Sequence, residues 1–342
     1  MQTTHEIHVA DARALELDDA SVDLVVTSPP YPMVGMWDAS FSAQDPTIGD
    51  ALDDGDGDRA FEAMHALLDD VWKHVARVLR PGGIAAINVG DATRRLGDEY
   101  RLYPNHARII DGLTDVGLVQ LPGIIWRKPT NSAAKFMGSG TLPTNAYTTL
   151  EHEHVLLFRK GDTREFPPGD DDRYASAFFY EERNEWFSDC WEIRGTRQTL
   201  ETSGERDRSG AFPLEVPRRL VLMYSVRGDT VCDPFVGTGT TCVAAMTAGR
   251  SSIGIERDPE LAAAFERQTS SIPALSADLA RRRLDAHHEY VDAREEPPKY
   301  EADHYDTRVV TSNERSIRLS KVTDVERVDD DPWRFVATHE PI

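Results

Sequence analysis

The chain has few cysteines and no long apolar run. Among its 342 residues are three cysteines, and Cys190, Cys232 and Cys242 have neither the number nor the spacing of a disulfide framework or a zinc site. No stretch approaches the roughly 18 to 20 apolar residues of a membrane span, and the N-terminus lacks the apolar core of a signal peptide. We therefore expect a cytoplasmic protein with reduced cysteines, no membrane partner and no metal.

Lysine is also scarce. Only six of the 38 basic residues are lysines, and the formal net charge is -21, which ordinarily argues against a nucleic-acid partner. However, an acidic, lysine-poor surface is also typical of proteins from organisms that hold molar salt in the cytoplasm, where charge repulsion is screened. The composition favours a halophilic archaeon as the source, with an acidic mesophilic enzyme as the alternative. Residues 121–220 carry 14 basic and 16 acidic side chains, so a nearly neutral face remains for a polyanion.

Short apolar runs alternate with helical patterns along residues 7–270. Helices are predicted over 61–79, 104–116, 217–225 and 240–248, and another begins at Pro259 behind an Asp258 cap. The apolar runs predict strands at 7–12, 22–26, 84–91, 123–126, 153–160, 230–235 and 252–256. Continuous apolar strands separated by helices predict an α/β fold with a mostly parallel sheet covered on both faces.

The stretch TSPPY, residues 27–31, follows the apolar run at 22–26. Each proline lacks a backbone donor and has a fixed φ, so strand pairing must stop at Ser28. The stiff loop that follows either simply ends a strand or holds a hydroxyl, an unpaired carbonyl and an aromatic ring in fixed geometry for a ligand.

A second informative stretch is DPFVGTGTT, residues 233–241. Gly237 and Gly239 allow close approach of the backbone to a ligand, and the amides that begin the next helix favour an anion. Glu256 ends the following strand, where a carboxylate can accept hydrogen bonds from ribose hydroxyls. These features predict a nucleoside-binding half-sheet, although such glycines can also serve only tight packing of a helix on a strand.

Three cofactors compete for this half-sheet. A P-loop would need a lysine near the phosphates, and none is present there. A dinucleotide motif would need a third glycine where Cys242 stands, and Asp233 would repel a pyrophosphate. S-adenosylmethionine carries an ammonium and a sulfonium but no phosphate, so it suits a site that contains Asp233.

Four motifs together resemble the amino-methylating DNA methyltransferases of the permuted, β-class-like type, in which the catalytic half precedes the cofactor half. They are TSPPY, FPLEVPRRLV (212–221), DPFVGTGTT and GIERDP (254–259), and the likeness covers most of residues 5–270. The resemblance implies a Rossmann-like S-adenosylmethionine-dependent fold with a mixed, mostly parallel seven-stranded sheet. It also implies a catalytic half at 5–160, a target-recognition insertion at 161–211, a cofactor half at 212–272 and an extension of unknown role at 273–342.

The resemblance also assigns residues to the cofactor. It places Asp11 at the adenine, Glu256 and Asp258 at the ribose, and Phe212 and Pro213 at the closure of the pocket. It places the methionine and sugar end of the cofactor at the 233–241 loop. The residues implied there are Asp233, Phe235, Gly237, Gly239, Thr240 and Thr241.

The same resemblance gives the TSPPY loop a chemical role. Hydrogen bonds from a base amine to Ser28 Oγ and the Pro29 carbonyl would favour a pyramidal nitrogen that attacks the sulfonium methyl in line. Pro30 would stiffen the loop, and Tyr31 would stack on a base flipped from the duplex. No covalent intermediate is required. Ser28 at the first position favours cytosine N4. The alternatives are adenine N6, a protein-glutamine methyltransferase and a catalytically silent DNA-binding regulator.

Target recognition is predicted in residues 161–211, where arginines are interspersed with aromatic residues suited to guanine edges, phosphates and unstacked bases. The candidates are Arg183, Arg194, Arg197, Arg206 and Arg208. A second candidate is the run YPMVGMWD (31–38), which includes Trp37 and resembles archaeal methylases of the palindrome CTAG. The expected partners are double-stranded DNA and a cognate restriction endonuclease, with the enzyme a monomer or homodimer. In the unmatched extension, His287 and His288 are expected to be exposed.

Overall fold

A large mixed sheet with helices on both faces forms the centre of the computed structural model, which describes residues 1–14, 16–128, 137–195 and 212–342. The strands in chain order are β1 (Gln2–Val9), β2 (Val22–Thr27), β3 (Leu79–Val89), β4 (Ala92–Leu96), β5 (Glu99–Tyr103), β6 (Leu118–Arg127), β7 (Met137–Gly138), β8 (Ala146–Tyr147), β9 (His152–Lys160), β10 (Cys190–Glu192), β11 (Thr230–Asp233), β12 (Ser251–Glu256), β13 (Tyr300–Glu301), β14 (Arg308–Val309), β15 (Ser320–Asp330) and β16 (Trp333–Pro341). The helices are α1 (Asp38–Ser42), α2 (Pro46–Asp53), α3 (Gly57–Val78), α4 (Asn105–Asp115), α5 (Asp171–Ala175), α6 (Tyr180–Trp186), α7 (Glu215–Tyr224), α8 (Thr240–Thr247), α9 (Pro259–Thr269) and α10 (Ile272–Asp292).

Within the described ranges, the main sheet has ten strands in the order β10-β6-β9-β3-β2-β11-β12-β1-β16-β15. The five neighbours β3, β2, β11, β12 and β1 are mutually parallel, so their carboxyl ends lie at one edge. The predicted α/β class is confirmed, and the seven strands from β6 to β1 form the centre of the sheet. Strands β10, β16 and β15 extend it at its two ends, so the sheet is wider than the predicted seven strands.

The long helix α3 shows why the predicted helix and strand pattern succeeded. The side chains of Met64, Leu68, Trp72 and Val75 recur at steps of three and four and are all buried. The helix begins at Gly57, four residues before the predicted start, because the Asp56 side chain accepts a hydrogen bond from the Arg59 amide at 3.1 Å. Strand β3 follows without a loop, since RPGG lies inside it.

The C-terminal extension, residues 273–342, is part of the sheet. Strand β16 pairs antiparallel with β1, and β15 pairs with β16. Phe335 of β16 is buried against Ile7 of β1 and Phe265 of α9 in one apolar cluster, and the Phe265 and Phe335 rings meet edge to face with centroids 5.3 Å apart. The extension therefore covers an edge that the central strands alone would leave open.

The expectation that His287 is exposed is wrong. Its ring is fully buried, stacks on Phe179 with centroids 4.0 Å apart and contacts Glu181 Oε1 through Nδ1 at 2.8 Å. Phe179 and Glu181 come from the insertion at 161–211, so the insertion packs on α10 of the extension. His288 is half-buried. Among the described helices, none combines the length and apolar character that a membrane span requires.

Gly239 is required by packing as well as by backbone conformation. It precedes α8 with φ +89°, and a Cβ there would lie 2.4 Å from Phe265 Cδ2. Gly228 has a similar φ of +80°, but a Cβ there would meet no atom within 4 Å. Alanine at Gly228 would therefore test the strain of a left-handed backbone alone, whereas alanine at Gly239 would add a steric overlap.

We expect Gly228→Ala to lower the free energy of unfolding by about 1 to 2 kcal/mol, the cost of a left-handed L-residue. Gly239→Ala should cost about 1 to 3 kcal/mol more, because the methyl group overpacks against Phe265. Urea unfolding followed by circular dichroism measures both values. Equal losses in the two variants would show that Phe265 moves away without cost.

Candidate active site

A cleft of about 890 Å³ lies at the carboxyl edge of the parallel strands. Loops that follow β1, β2, β11 and β12 form its walls. It brings together most of the residues predicted from sequence, namely Asp11, Ser28, Pro30, Trp37, Phe212, Asp233, Phe235, Gly237, Thr240, Thr241, Glu256 and Asp258. Pro29, Tyr31, Pro213 and Gly239 are not part of its lining. Pro29 and Tyr31 belong to the same loop as Ser28, and Pro213 is buried beside Phe212.

Asp233 lies at the end of β11 and is 2% exposed. Its Oδ1 accepts hydrogen bonds from Thr27 Oγ1 at 2.5 Å and from the Phe235 amide at 3.0 Å, while Oδ2 accepts from Thr241 Oγ1 at 2.6 Å. Burial raises the pKa of Asp233 to about 6 despite these hydrogen bonds. A buried carboxylate that has donors around it but no cationic partner within 4 Å in the described structure suits a cationic ligand group.

Glu256 ends the neighbouring strand β12. Its Oε2 accepts a hydrogen bond from the Gly237 amide at 3.0 Å, and its Oε1 accepts one from the Asp258 amide at 2.9 Å. Burial raises the pKa of Glu256 above its ordinary value. These bonds fix the carboxylate in the cleft and leave lone pairs that can accept hydrogen bonds from ligand hydroxyls.

Asp11 sits at the rim of the same cleft and is paired with arginine. The Arg13 guanidinium lies 2.7 Å from Asp11 Oδ2, and Arg257 lies 3.7 Å away. The hydrogen bond from Arg13 lowers the pKa of Asp11. The carboxylate therefore stays charged and anchored beside the predicted adenine position.

The donor set of the cleft fits S-adenosylmethionine. Asp233 offers a buried carboxylate for the methionine ammonium, and Glu256 offers acceptors for ribose hydroxyls. Gly237 has φ +54°, and a Cβ there would meet only Phe235 O at 4.0 Å, so the backbone is open to close approach. The basic residues in the described lining of the cleft are Arg13 and Arg257, and both lie near the Asp11 carboxylate.

The TSPPY loop is tied to two strands by a hydrogen-bond chain. Ser28 Oγ lies 2.9 Å from the Tyr31 hydroxyl, which donates to Glu153 Oε2 at 3.0 Å. Asn88 Nδ2 donates to the Tyr31 hydroxyl at 2.8 Å and to Glu153 Oε2 at 2.7 Å. Lys128 forms an ion pair with the other carboxylate oxygen of Glu153. Burial, followed by the charge of Glu153, raises the pKa of Tyr31 well above its ordinary value, so the phenol keeps its proton.

This chain of hydrogen bonds sets the direction in which the Ser28 hydroxyl donates its proton. Tyr31 has one proton, and it is donated to the Glu153 carboxylate, which can only accept. The Tyr31 oxygen must therefore accept the proton of Ser28. As a result, Ser28 Oγ turns its lone pairs away from Tyr31. One of them accepts a longer hydrogen bond from Asn88 Nδ2 at 3.4 Å, and the other can accept a hydrogen bond from a ligand.

Sequence reasoning missed Asn88, Lys128 and Glu153. Asn88 lies near the carboxyl end of β3, and Glu153 lies near the start of the antiparallel strand β9, so the two meet at the catalytic edge. The available signal was a polar residue at the end of an otherwise apolar strand. That signal does not say which strands are neighbours.

One cluster near this edge could hold a metal ion. Ligand atoms of Asp91, His106 and His154 lie within 4.8 Å of one another. His106 Nδ1 already lies 2.8 Å from both Asp91 oxygens, and the His106 ring stacks on His154 with centroids 4.1 Å apart. Burial lowers the pKa of His154 to about 4, so this imidazole is neutral near pH 7. Local sequence patterns did not indicate this cluster because its three members are far apart in the chain.

The structure describes two of the five arginines predicted for target recognition in the insertion. Arg183 and Arg194 are exposed, and Arg183 lies 5.8 Å above the Phe187 ring. Arg197, Arg206 and Arg208 lie outside the described residues. Trp186 and Trp191 are 4% and 1% exposed, so they form an aromatic core and are not available to stack on DNA bases.

Comparison with known proteins agrees with this geometry. The family profile of N6/N4 methyltransferases, described as DNA methylase, matches residues 22–267. The Type II methyltransferase M.MthZI of Methanothermobacter thermautotrophicus is 46% identical over 340 residues, which cover 98% of this chain and 95% of that protein. M.MjaI of Methanocaldococcus jannaschii, also a Type II methyltransferase, is 48% identical over 278 residues, covering 78% of this chain and 91% of its own.

Solved structures show the same fold. TTHA0409 of Thermus thermophilus, a candidate DNA modification methylase solved in complex with S-adenosyl-L-methionine, has a TM-score of 0.61 and 34% identity over 79% of this chain and 96% of that chain. The cytosine-N4-specific PvuII DNA methyltransferase shares the fold with a TM-score of 0.53 at 18% identity, over 75% of this chain and 83% of its own. The chain therefore belongs to the N6/N4 family of DNA methylases, and it is a DNA methyltransferase with S-adenosylmethionine as its cofactor.

Proposed function

We propose that this enzyme methylates the exocyclic N4 of cytosine in duplex DNA, after flipping the base out of the helix, by direct in-line transfer. The observation that carries the proposal is the Ser28 hydroxyl. It lines the cleft that holds Asp233 and Glu256, and the chain through Tyr31 to Glu153 leaves its oxygen as an acceptor.

The chemistry requires acceptors next to a poor nucleophile. The lone pair of a base amine is delocalised into the ring, and hydrogen bonds to Ser28 Oγ and the Pro29 carbonyl would favour a pyramidal nitrogen. The bound cofactor supplies an electrophilic methyl group on a sulfonium. Ser28 and Pro29 orient the amine, and Pro30 keeps both acceptors in a fixed geometry. No side chain has to form a covalent bond with the base.

Methylation of adenine N6 remains the alternative. A hydroxyl acceptor at position 28 supports cytosine, whereas a carboxylate at this position is more frequent among adenine-specific relatives. We expect duplex DNA incubated with the enzyme and S-adenosylmethionine to contain N4-methylcytosine. Nucleoside mass spectrometry distinguishes the two products by mass and retention, and N6-methyladenine as the sole product would establish the alternative. Ser28→Ala is the matched inactive control.

The direction of the hydrogen-bond chain gives a second prediction. In Glu153→Gln, the amide can donate to Tyr31, whose proton then turns to Ser28 and makes Ser28 a donor towards the amine. We expect kcat to fall by roughly tenfold or more, the effect of about 1.5 kcal/mol at the reacting nitrogen, with unchanged cofactor affinity. Tyr31→Phe should also lower kcat because it breaks the chain but keeps the ring.

Two variants serve as comparisons for that experiment. Tyr31→Ala removes the ring as well, so an additional rise in KM for DNA, corresponding to about 1 to 3 kcal/mol, would measure stacking on the base. Glu326→Gln removes one exposed carboxylate from β15, far from the cleft, and should behave as wild type. Wild-type turnover in both Glu153→Gln and Tyr31→Phe would contradict the role given to the chain.

The raised pKa of Asp233 predicts the pH dependence of cofactor binding. Below pH 6 the carboxyl takes up a proton and loses its attraction for the methionine ammonium. The dissociation constant should therefore rise by about tenfold per pH unit as pH falls below 6, and it should be nearly constant just above 6. Titration calorimetry on protein shown to be folded at each pH measures this effect.

Asp233→Asn tests the assignment. It should bind the cofactor more weakly at pH 7 and lose the pH dependence, since the amide does not titrate. If the wild type and Asp233→Asn showed the same pH profile, the ammonium would bind elsewhere in the cleft. The Thr241 hydroxyl bond to Asp233 makes Thr241→Val a milder companion variant.

We further propose a Type II modification role with CTAG as the recognition site. The run 31–38 supports this proposal, because it resembles archaeal methylases of CTAG and because its Trp37 lines the same cleft as Ser28. Of the arginines predicted to read guanine edges, Arg183 and Arg194 are described, and both are exposed. A halophilic archaeal source and a cognate restriction endonuclease belong to the same proposal.

A further inference from the structure

A second, much smaller cavity lies at the edge of the sheet opposite the catalytic cleft. Its volume is about 30 Å³. Two of its lining residues, Arg227 and Arg250, come shortly before the first residues of β11 and β12 in the sequence. Five arginines contribute to its lining, although the chain carries a net charge of -21. They are Arg218, Arg227, Arg250, Arg283 and Arg318, and we call this cavity the arginine pocket. None of the described residues that line it is Asp or Glu.

Carboxylates pair with three of the five arginines of the arginine pocket. Glu182 takes a bidentate pair from Arg283 at 2.6 and 2.8 Å. Arg218 lies 3.4 Å from Glu215, which also pairs with Arg219. Arg318 lies 3.6 Å from the exposed Asp171. None of these three carboxylates belongs to the described lining of the cavity.

The remaining two arginines have only neutral partners among the described residues. Arg250 donates to Ser225 Oγ at 3.0 Å, to the Ser225 carbonyl at 2.6 Å and to the Ala248 carbonyl. Arg227 donates to the Arg318 carbonyl at 3.3 Å and reaches Met1 Sδ at 3.4 Å. Each therefore brings a positive charge that no described carboxylate within 4 Å compensates.

Burial makes this repulsion costly. Arg218 and Arg250 are 7% and 2% exposed. The pKa of Arg250 is lowered to about 9, chiefly by burial and also by the charges of Arg283 and Arg227, while Asp229 and Asp172 oppose this shift. Burial followed by the charge of Arg283 also lowers the pKa of Arg218. A group of like charges in a desolvated site is stable only with a counter-charge.

We propose that the arginine pocket binds a small inorganic anion, and that this anion is chloride. A cavity of about 30 Å³ has room for one or two water-sized particles, so a monatomic anion fits and a nucleotide does not. The lining supplies guanidinium donors together with the hydroxyls of Ser176 and Ser320. Ser176 Oγ accepts a hydrogen bond from the Arg227 amide at 2.8 Å, so its own proton can point to the anion.

The position of the anion gives it a structural role. Arg218 and Arg250 belong to the methyltransferase core, Arg283 and Arg318 to the C-terminal extension, and Ser176 to the insertion. A bound chloride therefore joins the extension and the insertion to the core. Stability of this junction should depend on chloride concentration, independently of methyl transfer and of the general screening of surface charge.

The test is thermal unfolding of the full chain in mixtures of potassium chloride and potassium gluconate at one fixed ionic strength. General screening is then constant, and gluconate is too large for the pocket. We expect the Tm to rise and saturate as chloride replaces gluconate, and bromide to act like chloride. Identical Tm values across the series would overturn the proposal. Stabilisation by phosphate but not by bromide would overturn the assignment to a halide.

Substitutions of single arginines test whether the chloride response of the Tm arises at the arginine pocket. Arg318→Gln and Arg227→Gln remove partly exposed donors, and each should weaken the chloride response by roughly tenfold in concentration. Arg315→Gln and Arg282→Gln remove one positive charge from exposed sites paired with Asp303 and Asp278, so they are matched controls that should respond as wild type. Equal responses in the pocket variants and the controls would refute the site.

A crystallographic measurement on the wild type is independent of how the variants fold. Crystals grown or soaked in potassium bromide should show an anomalous peak inside the arginine pocket, within hydrogen-bond distance of Arg227 or Arg250. A pocket that contains only water at high bromide concentration would refute the proposal.

Discussion

The hydrogen bond between Thr27 and Asp233 is the contact on which the active site depends. Thr27 ends β2 and precedes the SPPY loop, while Asp233 ends β11 and begins the cofactor loop. The two strands are parallel neighbours in the middle of the sheet, so residues 206 positions apart meet at one edge. Thr241 fixes the other oxygen of Asp233 from α8. Ser28, the proposed amine acceptor, and Asp233, the proposed cofactor carboxylate, are thus held next to one buried cluster, which would keep the methyl donor and the nucleophile in a constant relation.

Local sequence patterns were enough to select the two loops that contain Ser28 and Asp233. They did not reveal Glu153, which lies at the end of the hydrogen-bond chain from Ser28. Two prolines after an apolar run mark the end of a strand, and Asp with two glycines before a helix marks a ligand loop, so Ser28 and Asp233 could be found without knowing the strand order. Glu153 could not, because its role depends on β9 running antiparallel beside β3. His287 failed for a similar reason, since the residues that bury it lie in another segment. Local sequence shows the chemical groups and backbone conformation of a segment. The side chains that contact it from other segments depend on the order and direction of the strands.

The C-terminal extension illustrates the same limit. Its residues matched no motif and its role was left unknown, yet β15 and β16 continue the main sheet and α10 packs against the insertion. β15 is an edge strand that needs few apolar residues, because one face and one edge remain in solvent. In β16 only the alternate residues Phe335, Ala337 and His339 are buried. The pattern was therefore too weak to predict strands that only complete an existing sheet.

The distribution of charge explains how so acidic a protein can act on DNA. Two arginines of the arginine pocket, Arg218 and Arg250, are buried and cannot meet phosphates. The proposed DNA contacts lie in the insertion and at the rim of the cleft. At high salt, counterion release contributes little to affinity, and binding must then depend on base contacts, stacking and shape. A cleft with Trp37, Phe212 and Phe235 in its lining beside Ser28 suits that requirement. Under the proposed halophilic conditions, an acidic surface would be compatible with specific binding, because charge repulsion is screened while contacts to an unstacked base are not.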